Sequence, residues 1–155
     1  MSNDTSMDRI IDTVRRLDGV LVLEPRAGDG TPEIAWGDAF FYYAPDGQVP
    51  TTVQPYGTVV TKNYPDDTSC DLDRPGRWRV NVHVGRERAR SLVGGEVASG
   101  DVEADVLLPH PVYGELGWVC VVNPADRTTP QVLDLLRQAH DDARRRYERR
   151  RRARG

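Results

Sequence analysis

Residues 77 to 85 read RWRVNVHVG, and the strict alternation divides the segment into two faces. Trp78, Val80, Val82 and Val84 fall on one side of an extended chain, and Arg77, Arg79, Asn81 and His83 on the other. A helix would scatter both sets around its axis. The spacing therefore predicts a strand with one buried and one polar face, and such a strand needs both neighbours and a cover.

The rest of the chain supplies them. Met7, Ile10, Ile11, Val14 and Leu17 recur at helical spacing, with Thr5 and Asp8 placed to cap that helix. DGVLVLEP predicts a short strand stopped by Pro25, and RAGDGTP a turn. EIAWGDAFFYYAPDGQVP predicts a strand ending at Tyr43, a turn at Pro45-Asp46-Gly47 and a hairpin whose return strand lies in GTVVTK. NYPDDTSCDLDRPG is acidic and rich in turn residues, and is expected to be solvated. A short helix over about 86 to 93 ends at Gly94-Gly95, and a weakly patterned segment leads to ADVLLP. LGWVCVVNP, apolar on both faces, predicts a central strand. A long helix starts at Thr129 with Pro130 in its first turn, and Val132, Leu133, Leu135, Leu136 and Ala139 form its buried stripe. This order, with connections of hairpin length, predicts an α+β two-layer sandwich: an antiparallel sheet with helices packed on one face.

A length of 155 residues suits one core. Residues 1–143 are read as a single domain and residues 144–155 as an arginine-rich helical extension or tail. That segment holds eight of the 21 Lys and Arg against one acid, Glu148, so it carries +7 and the remainder −10. Asp141 to Arg145, Asp142 to Arg146 and Glu148 to Arg152 stand at i,i+4 and would pair along the helix. The start, MSNDTSMDRI, lacks the basic and apolar regions of a secretory signal, and no apolar run is long enough to span a membrane, so a cytoplasmic location without membrane partners is expected. Cys70 and Cys120 form no CxxC motif, and Cys120, inside WVCVV, is expected to be buried.

Candidate functional residues fall into three groups. The polar face of RWRVNVHVG offers Arg79, Asn81 and His83. Lys62, the only lysine, is expected beside them on the neighbouring strand with Tyr42 or Tyr43, giving a surface suited to an anionic or planar ligand. In LLPHPVYGELGWV two prolines fix His110, followed by Tyr113 and Trp118; this is either a cornered turn between strands or a stiffly held acid, base or ligand. A catalytic role there requires a concave pocket in which His110 reaches another titratable group. Arg144, Arg145, Arg146, Arg149 and Arg150 are candidates for contact with nucleic acid. His140 is expected to flank the core stripe. No histidine pair or zinc spacing indicates a metal, no glycine motif indicates a nucleotide phosphate, and no cofactor is expected.

LDGVLVL, EIAWGDAFFYYAPDG, PYGTVVTKNYPDDTS, DRPGRWRVNVHVGRE and DVLLPHPVYGELGWVCVVNP together resemble a family of small actinobacterial proteins known as a domain of unknown function, over about residues 7 to 140. More distantly, the order of elements and the helix beginning near TTPQVLDLLRQAH are similar to MmcQ/YjbR-like proteins. That resemblance implies a compact, secretion-chaperone-like α+β fold and transfers no catalytic residue. This chain departs from it by a longer acidic loop at 64 to 75 and by the basic tail. The reading that follows is a non-catalytic binding domain using an open sheet face, its partner an unknown small molecule or protein. The alternatives are a nucleic-acid-associated protein acting through the tail, and a small enzyme or drug-binding protein centred on His110 and Tyr113.

Overall fold

The computed structural model describes residues 3–93 and 102–154. Six strands form one sheet in the order β1-β2-β3-β4-β6-β5, every neighbouring pair antiparallel. They are β1 (Val20–Leu23), β2 (Ala39–Tyr43), β3 (Gly57–Val60), β4 (Arg79–His83), β5 (Leu108–Pro109) and β6 (Trp118–Val122). Three helices accompany them: α1 (Asn3–Arg15), α2 (Arg86–Val93) and α3 (Thr129–Arg154). The α+β class and the antiparallel sheet with its helices on one face agree with the sequence. EIAWGDAFFYY divides, however, into a 3-10 turn at Glu33–Ala35 and the strand β2. Helix α1 starts at Asn3, so Thr5 and Asp8 lie within it rather than at its cap. Gly94-Gly95 and the weakly patterned segment after them lie outside the described residues.

The alternation sets the register. Phe41, Val59, Val80, Val82, Val119 and Val121 point to one face, where Ile10 and Val14 of α1 and Val132, Leu136 and Ala139 of α3 cover them. Burying each such side chain is worth about 1.5–3 kcal/mol. A slip of one residue would exchange Val80 and Val82 for Arg79 and Asn81, so the register has no competitor. Gly57 lets α3 come close: a Cβ there would stand 2.8 Å from Leu136 Cδ2.

On the second face the acidic segment corrects the expectation of a solvated loop. Residues 61 to 78 fold back across the sheet, and Cys70 and Leu72 pack with Val60 and Val122 in a second, smaller core. Asn63 accepts a hydrogen bond from the Leu72 amide at 2.8 Å, and Arg77 Nη2 donates to the Cys70 carbonyl at 2.7 Å. The loop stays down because two of its residues are apolar and its carboxylates have work to do beneath it. The second face is consequently half covered, and what remains is a cleft.

Candidate functional site

Arg79, placed by the strand's parity on the second face, is 1% exposed. Taking a guanidinium out of water costs several kcal/mol unless a carboxylate and further hydrogen bonds repay it. Asp67 supplies the carboxylate in a two-pronged pair: Nη1 donates to Oδ1 at 3.0 Å and Nη2 to Oδ2. Nε donates to Asn81 Oδ1 at 2.8 Å, and Asn81 Nδ2 donates to Thr58 Oγ1 at 2.9 Å. Asp67 reaches this point through a tight turn in which Tyr64 and Asp67 exchange backbone hydrogen bonds around Pro65 and Asp66. Burial pushes the Asp67 carboxyl up, but the hydrogen bonds and charge of Arg79, aided by His110, outweigh it and hold the group below the usual range.

The segment around His110 is the cornered turn between strands that its sequence allowed. It connects β5 to β6, and His110, 3% exposed, belongs to the buried network. Its Nδ1 accepts the amide hydrogens of Val112 and Tyr113, each at 3.0 Å. The ring proton therefore sits on Nε2, which lies 3.6 Å from Asp67 Oδ2 and 3.2 Å from Arg79 Nη2. Burial, then the charge of Arg79, keep the imidazole neutral, with Asp67 opposing weakly. His110 thus meets other titratable groups in a concave site, but with its lone pair already engaged.

Above this floor lies a cleft of about 360 Å³, lined by Phe40, Tyr42, Thr58, Tyr113 and Trp118 together with Arg79, Asn81 and His110. The Tyr113 ring packs 5.0 Å from the imidazole of His110. Four of the residues singled out in the sequence, Arg79, Asn81, His110 and Tyr113, converge here. The surface expected to be open to water is instead a sunken floor: Arg79 is buried under the loop, and Asn81, also buried, is held by Arg79 and Thr58.

Lys62 does not join them. Its Nζ donates to the Trp36 carbonyl at 2.8 Å and to Asp38 Oδ1 at 2.9 Å, fastening the 3-10 turn beyond the end of β3. Asp38 also accepts from the Thr61 amide and hydroxyl and from the Tyr64 hydroxyl, so Lys62 is committed to structure. His83 lies at the far end of β4, its ring 5.5 Å from that of Trp118. Tyr42 faces the cleft, whereas Tyr43 turns toward α3 and meets Tyr147 at 5.2 Å.

Helix α3 crosses the boundary at 143 without a break. Arg144 pairs with Asp141 and Glu148, and Arg145 with Asp141 and Asp142. The expected pairing of Asp141 with Arg145 is present. Glu148 turns back to Arg144 instead of forward to Arg152, and Asp142 pairs with Arg88 and Arg145 rather than with Arg146. Arg149 and Arg150 are exposed and Arg146 is half-buried. His140 flanks the core as expected, accepting from the Tyr56 hydroxyl at 2.9 Å and donating to the Asp18 carbonyl at 2.8 Å.

A family model described as a family of unknown function, DUF6194, matches residues 5–152. The chain belongs to that family. No curated protein and no solved structure matches it. The match takes in both the cleft and most of α3, so this DUF6194 chain carries its whole site within the family region. Among the described residues no helix is long and apolar enough to cross a membrane, and no three His, Cys, Asp or Glu side chains stand where they could hold a metal ion.

Sequence reasoning missed Asp67, Cys70 and Phe40. Nothing in NYPDDTSCDLDRPG marks which carboxylate turns inward, although an arginine on a strand between Trp78 and Val80 is a sign that some acid must meet it. Cys70 Sγ accepts from Arg79 Nη1 at 3.4 Å, and the thiols of Cys70 and Cys120 act on each other's titration. That mutual effect, then Arg79, outweigh burial and lower the Cys70 thiol, while the same effect and burial raise Cys120. Both thiols are buried and line a small separate cavity with Leu108, Pro109 and Pro111 rather than the cleft.

Proposed function

We propose that this protein is a non-catalytic binding domain that holds a planar ring in the cleft on the loop-covered face of its sheet. The observation carrying this reading is the pairing of aromatic walls with a floor whose polar groups are already satisfied. Phe40, Tyr42, Tyr113 and Trp118 offer ring faces and edges, while Arg79 is spent on Asp67 and Asn81. Such a floor is rigid and carries no net charge from its Arg79–Asp67 pair, so it favours an uncharged ring over a carboxylate or phosphate at that point. Chemistry has little to work with: the lone pair of His110 is occupied and both thiols lie below the surface.

N-phenyl-1-naphthylamine, an uncharged aromatic probe that brightens on leaving water, tests the proposal. It should bind saturably, and Tyr113→Ala and Tyr42→Ala should each weaken it about tenfold, since stacking on one ring is worth about 1–3 kcal/mol. Absence of saturable binding, or affinity indifferent to both variants, would remove the cleft as the site.

The enzyme reading keeps one favourable observation, the Nε2–H of His110 aimed toward Asp67 at the edge of a concave site. It requires His110 to give up two backbone hydrogen bonds before its lone pair could take a proton. The nucleic-acid reading has the exposed arginines beyond Glu148, while Arg144 and Arg145 are already paired.

A further inference from the structure

Helix α3 is 26 residues long, which is about 39 Å, whereas a strand of five residues spans about 17 Å. The helix must therefore overrun the sheet. It does so at the end where β4 finishes with His83 and β6 begins with Trp118. A second cavity of about 400 Å³ lies in that angle, and His83, Arg146 and Arg150 line it. Tyr42, Gln54, Pro55 and Trp118 line both this cavity and the cleft, so the two spaces share one wall.

The charges here differ from those one turn earlier. Arg144 and Arg145 are ion-paired, but among the described residues no carboxylate pairs with Arg146 or Arg150. Arg146 is half-buried, and the groups acting on it are Asp142 in its favour and Arg149 and Arg150 against. His83 faces Arg146, the Leu116 backbone and, more weakly, Asp142. Burial and the neighbouring cations push both Arg146 and His83 toward their neutral forms. A partly desolvated cation without a partner is a standing cost that an incoming anion removes.

We infer that the cleft continues past Tyr42 and Trp118 into a cationic subsite, formed by Arg146 and Arg150 with the neutral imidazole of His83 beside them, that receives the anionic group of a ring-bearing ligand. This rests on the ring site proposed above and adds the class of ligand: a planar body carrying one phosphoryl, sulfonyl or carboxyl group. It also separates Arg146 and Arg150 from the rest of the basic segment. Their role is to read one charge on a small molecule at a fixed distance from an aromatic slot.

The test compares N-phenyl-1-naphthylamine with 8-anilinonaphthalene-1-sulfonate, which has the same rings plus a sulfonate. The wild-type protein should prefer the sulfonate by about tenfold or more, with the preference shrinking as salt is raised. In the double variant Arg146→Gln, Arg150→Gln the preference should vanish while affinity for the uncharged probe stays unchanged. Arg146→Lys should retain part of it, which separates lost charge from lost folding; the melting temperature of each variant is recorded alongside. Equal binding of the two probes by the wild-type protein would overturn the subsite and leave the ring site standing. So would a sulfonate preference that survives the double variant. Sulfonate binding that depends on both arginines, without binding of the uncharged probe, would keep the subsite and overturn the ring site. Binding of neither probe would overturn both.

Discussion

Arg79 is a cation held out of water in the floor of the cleft. A charge buried to 1% exposure on a strand between Trp78 and Val80 holds only because Asp67 reaches it with both oxygens. Asp67→Ala should therefore cost about 3–5 kcal/mol in chemical denaturation, since it strands a buried cation. Adding Arg79→Met to that variant should recover much of the loss, and a double variant no more stable than Asp67→Ala would refute the account. The histidines give the protein a pH dependence of one sign. Burial, followed in His83 and His110 by a nearby arginine, lowers all three below their ordinary value, so the unfolded chain binds protons that the native one refuses. Stability should then decline as pH falls below about 6.5, the ordinary histidine value. Asp67, also lowered, adds its own loss only below about pH 4, where an unfolded carboxylate protonates. Denaturant midpoints from about pH 8 to about pH 5 check the first window; a flat profile would mean that the histidines titrate alike in both states.

At the scale of elements, the cleft is made by two connections lying on a sheet, and their geometry depends on a few backbone positions. The β5 to β6 connection passes so near the start of α2 that a Cβ at Gly117 would stand 2.5 Å from the carbonyl carbon of Gly85. Gly117 also adopts φ of 93°, which side chains resist, and its carbonyl accepts the amides of Val84 and Gly85 at 2.9 and 3.1 Å. Gly117→Ala should lose about 1–3 kcal/mol from strain alone. It should also weaken the naphthylamine probe, because Tyr113 and Trp118 hang from the same connection. A variant with wild-type melting and wild-type probe affinity would show that the close approach of Gly117 to Gly85 neither strains the fold nor positions Tyr113 and Trp118. The loop over residues 61 to 78 works differently, held by the apolar pair Cys70 and Leu72 and by Asn63 and Arg77.

For the molecule as a whole, most of the architecture could be read from residue spacing. The period of two in RWRVNVHVG, the helix starting at Thr129 and the short helix over 86 to 93 all correspond to elements, because each pattern answers to one apolar face packed on the core. Arg79, Asn81, His110 and Tyr113 were legible as chemistry, and the structure brings them together. Their depth was not legible, since burial of a polar face depends on how a loop folds back over it, which its turn-rich composition does not state. Asp67 to Arg79 is a pair close in sequence, whereas Lys62 to Trp36 and His140 to Asp18 have no local signature at all. The two rims of the sheet are unlike. The rim at β5 offers two residues, one of them the proline Pro109, which has no amide hydrogen to give, so a foreign strand finds no ladder to extend there. Any edge-to-edge association through this sheet would have to start at the opposite rim, along Val20–Leu23.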